Sequence, residues 1–442
     1  MLIGKVLLVL IAVVLPSLVQ SQAEDRSYAE HSEAPSQSSA SQTEKAKLLV
    51  GHVDELTYDP AFTLGEVVET ALMEFPRTVL AQALSEEARA WHRRAATWLP
   101  GPVALAGNYS GDRVGDNTGN WAIDTEFILP LWKWGQQATA QRVTEKARQY
   151  ASMYREGLRL EVAGLVREAL WDLKLREVEY AIAKEVLVLS ERLLSQVRRR
   201  VEAGDLARTD LLLAETDFLK TKADAVTAEA EWMHARWRYR NLTRLDKAPA
   251  NFEEALSPKT AVSPQHPLLL ALTARIEQEK ARLQYTRFEA DVGDQQVMLS
   301  LGSHHEHTAR GGESLNSINA RLYIPFGGGA YQAPNVASVL TALAEVEAQR
   351  AELHRQLEQE LHEAEHMLQV DRVQVQQAET RYALAKTSLE LSRKAFAAGE
   401  MDLIDLLKVQ VMAQEALRDA ERWRVQVKRD VARYNQVVGE VP

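Results

Sequence analysis

The stretch Val201–Leu213 reads V-E-A-G-D-L-A-R-T-D-L-L-L, and it returns 195 residues later as Phe396–Lys408, F-A-A-G-E-M-D-L-I-D-L-L-K. Ala203-Gly204 matches Ala398-Gly399, Asp205 matches Glu400, and Asp210-Leu211-Leu212 matches Asp405-Leu406-Leu407. Each copy ends one long helical pattern and opens another. Glycine commonly stands just past a helix because, lacking a Cβ, it takes the left-handed conformation freely. An acid beside it suits the exposed amides of the helix that follows. Each copy therefore predicts the tip of a hairpin between two helices.

The same offset recurs along the chain. Leu129-Pro130-Leu131 matches Ile324-Pro325-Phe326, Gly107 matches Gly302, and Arg238-Tyr239 matches Arg433-Tyr434. Phe75-Pro76 matches His266-Pro267 at the slightly shorter offset of 191. A near-constant offset predicts an internal duplication, with repeats over 61–243 and 265–439. A linker over 244–264 joins them and holds Pro249, Pro258 and Pro264.

Across 442 residues, 46% are hydrophobic, only 7% aromatic and 26% charged, a mix that suits long helices with solvated faces. The formal net charge of −10 and the lack of a basic tract argue against nucleic acid as a partner. With no cysteine, disulfides, thiolate metal sites and thiol nucleophiles are excluded. No P-loop and no G-x-S-x-G occurs, and the acids on the helices recur as solvated faces. The chain does not read as an enzyme, and no cofactor is implied.

Residues 1–23 read as a secretory signal: Lys5, the apolar run Val6–Leu15, Pro16, then Ser21-Gln22-Ala23 with small residues at a cleavable site. The apolar run is short of the ~20 residues a membrane span needs. Residues 24–60, rich in Ser, Gln, Glu and Ala, read as a flexible leader. Thr63-Leu64-Gly65-Glu66 predicts a capping box that starts a helix running to about Glu74, and Arg77–Leu99 predicts a second helix. Long proline-free helical patterns then cover Gln136–Glu202 and Val336–Ala397, with return helices over Asp205–Thr243 and Met401–Val438. At 1.5 Å per residue the first of these reaches roughly 100 Å.

Between the helices the period changes from 3.6 to 2. Val103, Leu105, Gly107 and Tyr109, then Trp121, Ile123, Thr125, Phe127 and Leu129, alternate with residues that include Asp124 and Glu126. Val297, Leu299 and Leu301, then Ile318, Ala320, Leu322 and Ile324, alternate with residues that include Asn319, Arg321 and Tyr323. This predicts four strands, at 102–110, 120–130, 296–303 and 316–325, each with one apolar and one polar face. Phe127, Leu299 and Leu322 would face lipid, whereas Asp124, Glu126 and Arg321 would face a lumen. Four strands cannot close a barrel, and bilayers do not tolerate open edges, so other copies of the chain must complete the sheet. Trp98, Trp132 and Trp134 flank the strands where helices begin. They read as an interfacial membrane belt or as packing on helix ends.

With these motifs in order, the chain resembles the outer-membrane efflux protein (TolC-like) family over roughly Ala61–Gly439. The residues that carry the likeness are T-L-G-E-V-V-E-T-A-L-M-E-F-P from Thr63, L-P-L-W-K-W-G from Leu129, I-P-F-G-G-G from Ile324 and the two A-G-[DE]-x(5)-D-L-L tips. The resemblance implies a mainly α fold: long antiparallel coiled-coil helices, plus four strands per chain that complete a trimeric 12-strand β-barrel. It implies a homotrimeric exit duct in the bacterial outer membrane, extending through the periplasm to a periplasmic adaptor and an inner-membrane pump. Ala203, Gly204, Asp205, Leu206, Ala398, Gly399 and Glu400 would be the adaptor-docking tips.

The resemblance further implies that Asp405 forms an acidic ring at the periplasmic pore entrance, with Lys408 where the family has a second acid. Met401 and Phe396 stand where the family has a locking arginine and a tyrosine, and Asp210 matches the acid that the arginine would contact. The family's gate therefore cannot be carried over unchanged. His304-His305-Glu306-His307 is a metal-like run, expected in a loop at the outer mouth and not assigned as a metal site. Two other readings stay open: the outer-membrane duct of a type I protein secretion system, and a soluble periplasmic coiled-coil scaffold or adaptor.

Overall fold

A computed structural model of the chain describes residues 56–290, 296–308 and 312–442. The signal expected over 1–23 and most of the leader lie outside the described residues. Thr63 caps the first helix, α1 (Leu64–Glu74), as a capping box: Glu66 N donates to Thr63 Oγ1 at 3.3 Å, and Thr63 N donates to Glu66 Oε2 at 2.8 Å. Helix α2 spans Thr78–Ala96. Three long helices follow the strands: α3 (Gln136–Glu202, 67 residues), α4 (Arg208–Thr243) and α5 (Pro267–Ala290). The last two are α6 (Gly329–Ala398, 70 residues) and α7 (Leu403–Val437). Pro334 lies inside the second turn of α6, where it has no N–H to give the Ala330 carbonyl four residues back.

Helix α3 is the spine. It packs on α2, α4, α5 and α7, and α6 packs on α5 and α7. Where α3 meets α7, a Cβ on Gly164 would sit 2.9 Å from the Gln436 side-chain amide, which would have to shift. One buried cluster joins Val67, Val68 and Ala71 of α1 to Val162, Val166 and Leu170 of α3 and to Tyr239 of α4. A second ties the far ends of the long helices through Leu193, Val197, Phe396, Leu403 and Leu406. None of the described helices is long and apolar enough to cross a membrane.

The described strands form two sheets. β2 (Ala104–Gly111), β3 (Trp121–Leu131), β5 (Val297–His307) and β6 (Ser314–Tyr323) make one antiparallel sheet in the order β2-β3-β5-β6. Its central pair runs in register from Trp121↔His307 to Leu131↔Val297. The sequence places a loop over Ser303–Asn316, yet β5 continues through His307. The reason is the length of β3: its eleven residues offer a full ladder to the facing strand.

The other sheet corrects two expectations. β1 (Thr57–Asp59), inside the segment read as leader, pairs in parallel with β4 (Lys247–Pro249), inside the segment read as unpatterned linker. Three-residue strands carry no measurable period, so sequence pattern could not reveal them. The linker is also held by side chains. Buried Arg167 of α3 donates to both Glu254 oxygens, at 2.8 and 2.6 Å, to Gln436 Oε1 at 2.6 Å and to the Glu440 carbonyl at 3.1 Å. Asn435 of α7 donates to the Ala255 carbonyl at 2.9 Å and accepts from Ser257 N at 2.8 Å.

Candidate functional site

The four-stranded sheet sorts its side chains by chemistry. Register places Leu105, Phe127 and Leu301 in one row and Leu129, Leu299 and Leu322 in another, all on the same face. Phe127 is 56% exposed and Leu322 57%, so this apolar face is uncovered in the single chain. Asn108, Asp124, Glu126, His304 and Arg321 share the opposite face. There Arg321 Nη2 lies 3.6 Å from Glu126 Oε1, and Asn108 Nδ2 donates to Asp124 Oδ2 at 3.2 Å. His304 Nδ1 shares a 2.6 Å hydrogen bond with Asp124 Oδ1. Asp124, Glu126 and Arg321 thus lie together on one polar surface, as the alternation predicts.

The pleat divides the histidine run. His304 and Glu306 fall on the polar face, while His305 and His307 fall on the apolar one, their rings 5.1 and 5.8 Å from that of Trp121. Among the described residues no group of three or more His, Asp or Glu side chains is arranged to hold a metal ion. At the other rim Trp98 and Trp134 are almost fully exposed. Trp132 differs: its Nε1 donates to the Thr97 carbonyl at 3.0 Å and its ring packs on the cluster of Ala95, Ala140 and Tyr285.

At the opposite end of α3, both A-G-[DE] stretches close their helices with the same two hydrogen bonds. Asp205 N donates to Arg200 O at 2.8 Å and Gly204 N to Val201 O; Glu400 N donates to Ala395 O at 2.9 Å and Gly399 N to Phe396 O. Gly204 and Gly399 take φ of +84° and +80°, with no atom within 4 Å of where a Cβ would sit. This is the Schellman stop, and it leaves Ala203, Asp205, Ala398 and Glu400 exposed around each tip. Leu206 is half-buried against the cluster beneath the tips.

The expected entrance residues do not act alike. Asp210 Oδ2 accepts from Ala207 N at 3.1 Å and so caps α4. Asp405 makes no such cap; Lys408 Nζ donates to its Oδ1 at 3.0 Å, and both side chains stay exposed. Phe396 is buried, and Met401 packs beside it in the same apolar cluster, so neither stands open to an entrance within the chain. The contact that sequence reasoning missed is Arg200. Its Nη1 donates to the Phe396 carbonyl at 3.0 Å and its guanidinium lies 5.1 Å from the Phe396 ring centre, fastening α3 to α6. A basic residue in the last turn of a helix ordinarily reads as a dipole complement, so no sequence signal singled it out.

Farther along the α6–α7 pair, Asp371 and Asp430 are both buried. Gln426 Nε2 donates to Asp430 Oδ1 at 2.8 Å, while Oδ2 is buried without a donor. Burial, then the hydrogen-bonding Asp371 carboxyl, pushes the Asp430 carboxyl up to about 7, and the Arg433 charge opposes this only in part.

No protein-family model matches the chain, and no curated protein matches it in sequence. Solved structures do. The outer membrane protein VceC of Vibrio cholerae is 15% identical, with a TM-score of 0.66 over 85% of this chain and 96% of that one. The CmeC outer membrane channel of Campylobacter jejuni is also 15% identical, with a TM-score of 0.65 over 95% and 94%. The open state of the MtrE outer membrane channel of Neisseria gonorrhoeae is 16% identical, with a TM-score of 0.64 over 88% and 92%. The chain has the fold of these outer membrane channels, and the TolC-like resemblance read from its motifs fits that fold.

Proposed function

We propose that this chain is the outer-membrane duct of a tripartite efflux system, passing small molecules or metal ions from an inner-membrane pump and a periplasmic adaptor to the outside. The observation that carries the reading is the sheet: one face exposed and apolar, one polar, and the edges of β2 and β6 free of any described strand. Lipid cannot satisfy such edges, so three copies would join them into a 12-strand barrel. Phe127, Leu299 and Leu322 would then meet lipid, Asp124, Glu126 and Arg321 would line the water-filled lumen, and Trp98 and Trp134 would sit at the membrane boundary. The 195-residue offset supports an internal duplication in which each half supplies two strands and one helical hairpin.

Helices of 67 and 70 residues, about 100 Å long, would carry the tips across the periplasm. Three-fold assembly would gather the Asp405 carboxylates at the narrow end, and the two glycine-marked tips would dock the adaptor. Likeness to solved outer membrane channels supports the same assignment. The test is to crosslink the purified protein in mild detergent and reconstitute it in planar bilayers. A trimer with cation-selective conductance is expected; a monomer by light scattering, with no conductance, would overturn the reading.

A further inference from the structure

Helix α6 sets His354, Glu358, His362 and His366 in one row, at successive four-residue intervals. Residues four apart on a helix are neighbours, so these side chains stand one above the next. The imidazoles of His362 and His366 meet: their ring centres are 4.8 Å apart and their planes are inclined by 64°. Both side chains are exposed. They point away from the packing of α6, because Leu361, Ala364 and Leu368 are the residues that this stretch buries.

The partners of the neighbouring groups single this pair out. His354 Nδ1 lies 3.4 Å from Glu358 Oε2, and Gln359 Nε2 donates to Glu363 Oε1 at 2.9 Å. On the strands, His304 holds Asp124, His305 holds the Asn316 side chain and His307 holds Ser314. His362 and His366 make no hydrogen bond or ion pair with a described residue, and their ring contact is with each other. The stretch from Gln356 to Val370 also holds Glu358, Glu360, Glu363 and Glu365 with no lysine or arginine. Its own charges therefore favour a cation at this surface.

We infer that His362 and His366 form a two-imidazole chelate for a divalent transition-metal ion, with Cu2+ held most tightly. Imidazole nitrogen suits the late transition ions, and Cu2+ heads their affinity order, whereas Mg2+ and Ca2+ take oxygen ligands. An ion about 2.0–2.1 Å from one nitrogen of each ring would set the ring centres about 4.5–5.2 Å apart. The 4.8 Å separation lies within that span. The histidine χ2 torsion is broad, so an exposed ring turns its nitrogen to the ion without moving the backbone. Two protein ligands leave the other positions to water. Such an open site agrees with the lack of any three-ligand group among the described residues. The inference goes beyond the duct reading and stands on α6 alone. Set beside that reading, it favours metal ions over organic cargo, and only this last step rests on it.

The probe is Cu2+ added to the full-length protein in detergent, free of any polyhistidine tag. Electron paramagnetic resonance at one equivalent per chain should show coupling to two imidazole nitrogens. Calorimetric titration should find the same site with Zn2+ and none with Mg2+. His362→Ala/His366→Ala should weaken Cu2+ binding by about tenfold or more and remove the two-nitrogen signal. His304→Ala/His307→Ala should leave both unchanged. Val370 is 49% exposed one turn beyond His366, so Val370→His added to His362→Ala rebuilds the spacing and should restore binding. Met367→His in the same background lies off the row and should not. Unchanged affinity and spectrum in the double alanine variant, or failure of the Val370→His rescue, overturns the inference. Planar-bilayer conductance in metal-free buffer reads the duct separately, so either idea can fail alone.

Discussion

Arg200 reaches from the last turn of α3 to the carbonyl of Phe396 in the last turn of α6, 3.0 Å away, and stacks on the same residue's ring. One side chain therefore couples the ends of two long helices by a charge-assisted hydrogen bond and a cation–π contact. It does so where the family resemblance expects an arginine at position 401 and this chain has methionine.

Removing this tie should loosen the tip. A hydrogen bond from a charged group is worth about 2 kcal/mol, enough to shift a two-state equilibrium by roughly thirtyfold. Arg200→Gln should accordingly raise the resting conductance of the reconstituted protein, read from single-channel open time. An unaltered open probability would mean the tip is held elsewhere.

The Asp371–Asp430 pair gives a pH dependence whose sign is fixed. The folded-state pKa of Asp430 is raised from 3.8 to about 7, so the folded chain binds more protons than the unfolded one between those values. Stability then falls as pH rises through this window, by about 4 kcal/mol at most. The charged neighbours are few: Arg433 acts on Asp430 directly, and Arg429 of the same helix is committed to Glu168 of α3. Asp430→Asn should flatten the dependence, so that helix melting by circular dichroism occurs at similar temperatures at pH 5 and pH 8. A wild-type melt that rises with pH over this range would contradict the assignment.

Phe127 and Glu126 are adjacent in β3 and on opposite faces. Phe127→Arg should cost about 2–4 kcal/mol of membrane assembly, since it places a charge against lipid. Glu126→Gln only removes the partner of Arg321 on the polar face and should assemble normally. Heat-stable oligomer on gels would report both; equal defects would show that the faces are reversed.

The two tip aspartates should separate in function. Asp210→Ala removes a helix cap and should cost about 1 kcal/mol, seen as local protease sensitivity with ion selectivity intact. Asp405→Asn should lower the cation preference in bilayer recordings, because its carboxylate caps nothing and faces solvent with Lys408. Loss of selectivity in the Asp210 variant alone would reverse these roles.

Arg167 tests how firmly the linker is built in. Its side chain is only 4% exposed and bonds Glu254, Gln436 and the Glu440 carbonyl. Arg167→Ala leaves the Glu254 carboxylate without its partner and should cost about 3–5 kcal/mol in denaturant unfolding. A loss below about 1 kcal/mol would mean that water replaces the arginine.

Local pattern by itself determined the helices and the four long strands of this chain. Period two marked the four strands and their faces, period 3.6 without proline marked helices from Gln136 to Glu202, and glycine beside an acid marked the tips. Each depends on residues within about ten positions, where backbone sterics and amphipathicity act directly. Tertiary structure alone decided what those elements touch: β3 beside β5, β1 on β4, Arg200 on Phe396, Asp371 on Asp430. These partners stand far apart in sequence, and their chemistry arises only once packing strips water from them and brings the charges together. An exposed arginine and a buried aspartate look alike in a string of letters; desolvation and distance make the difference.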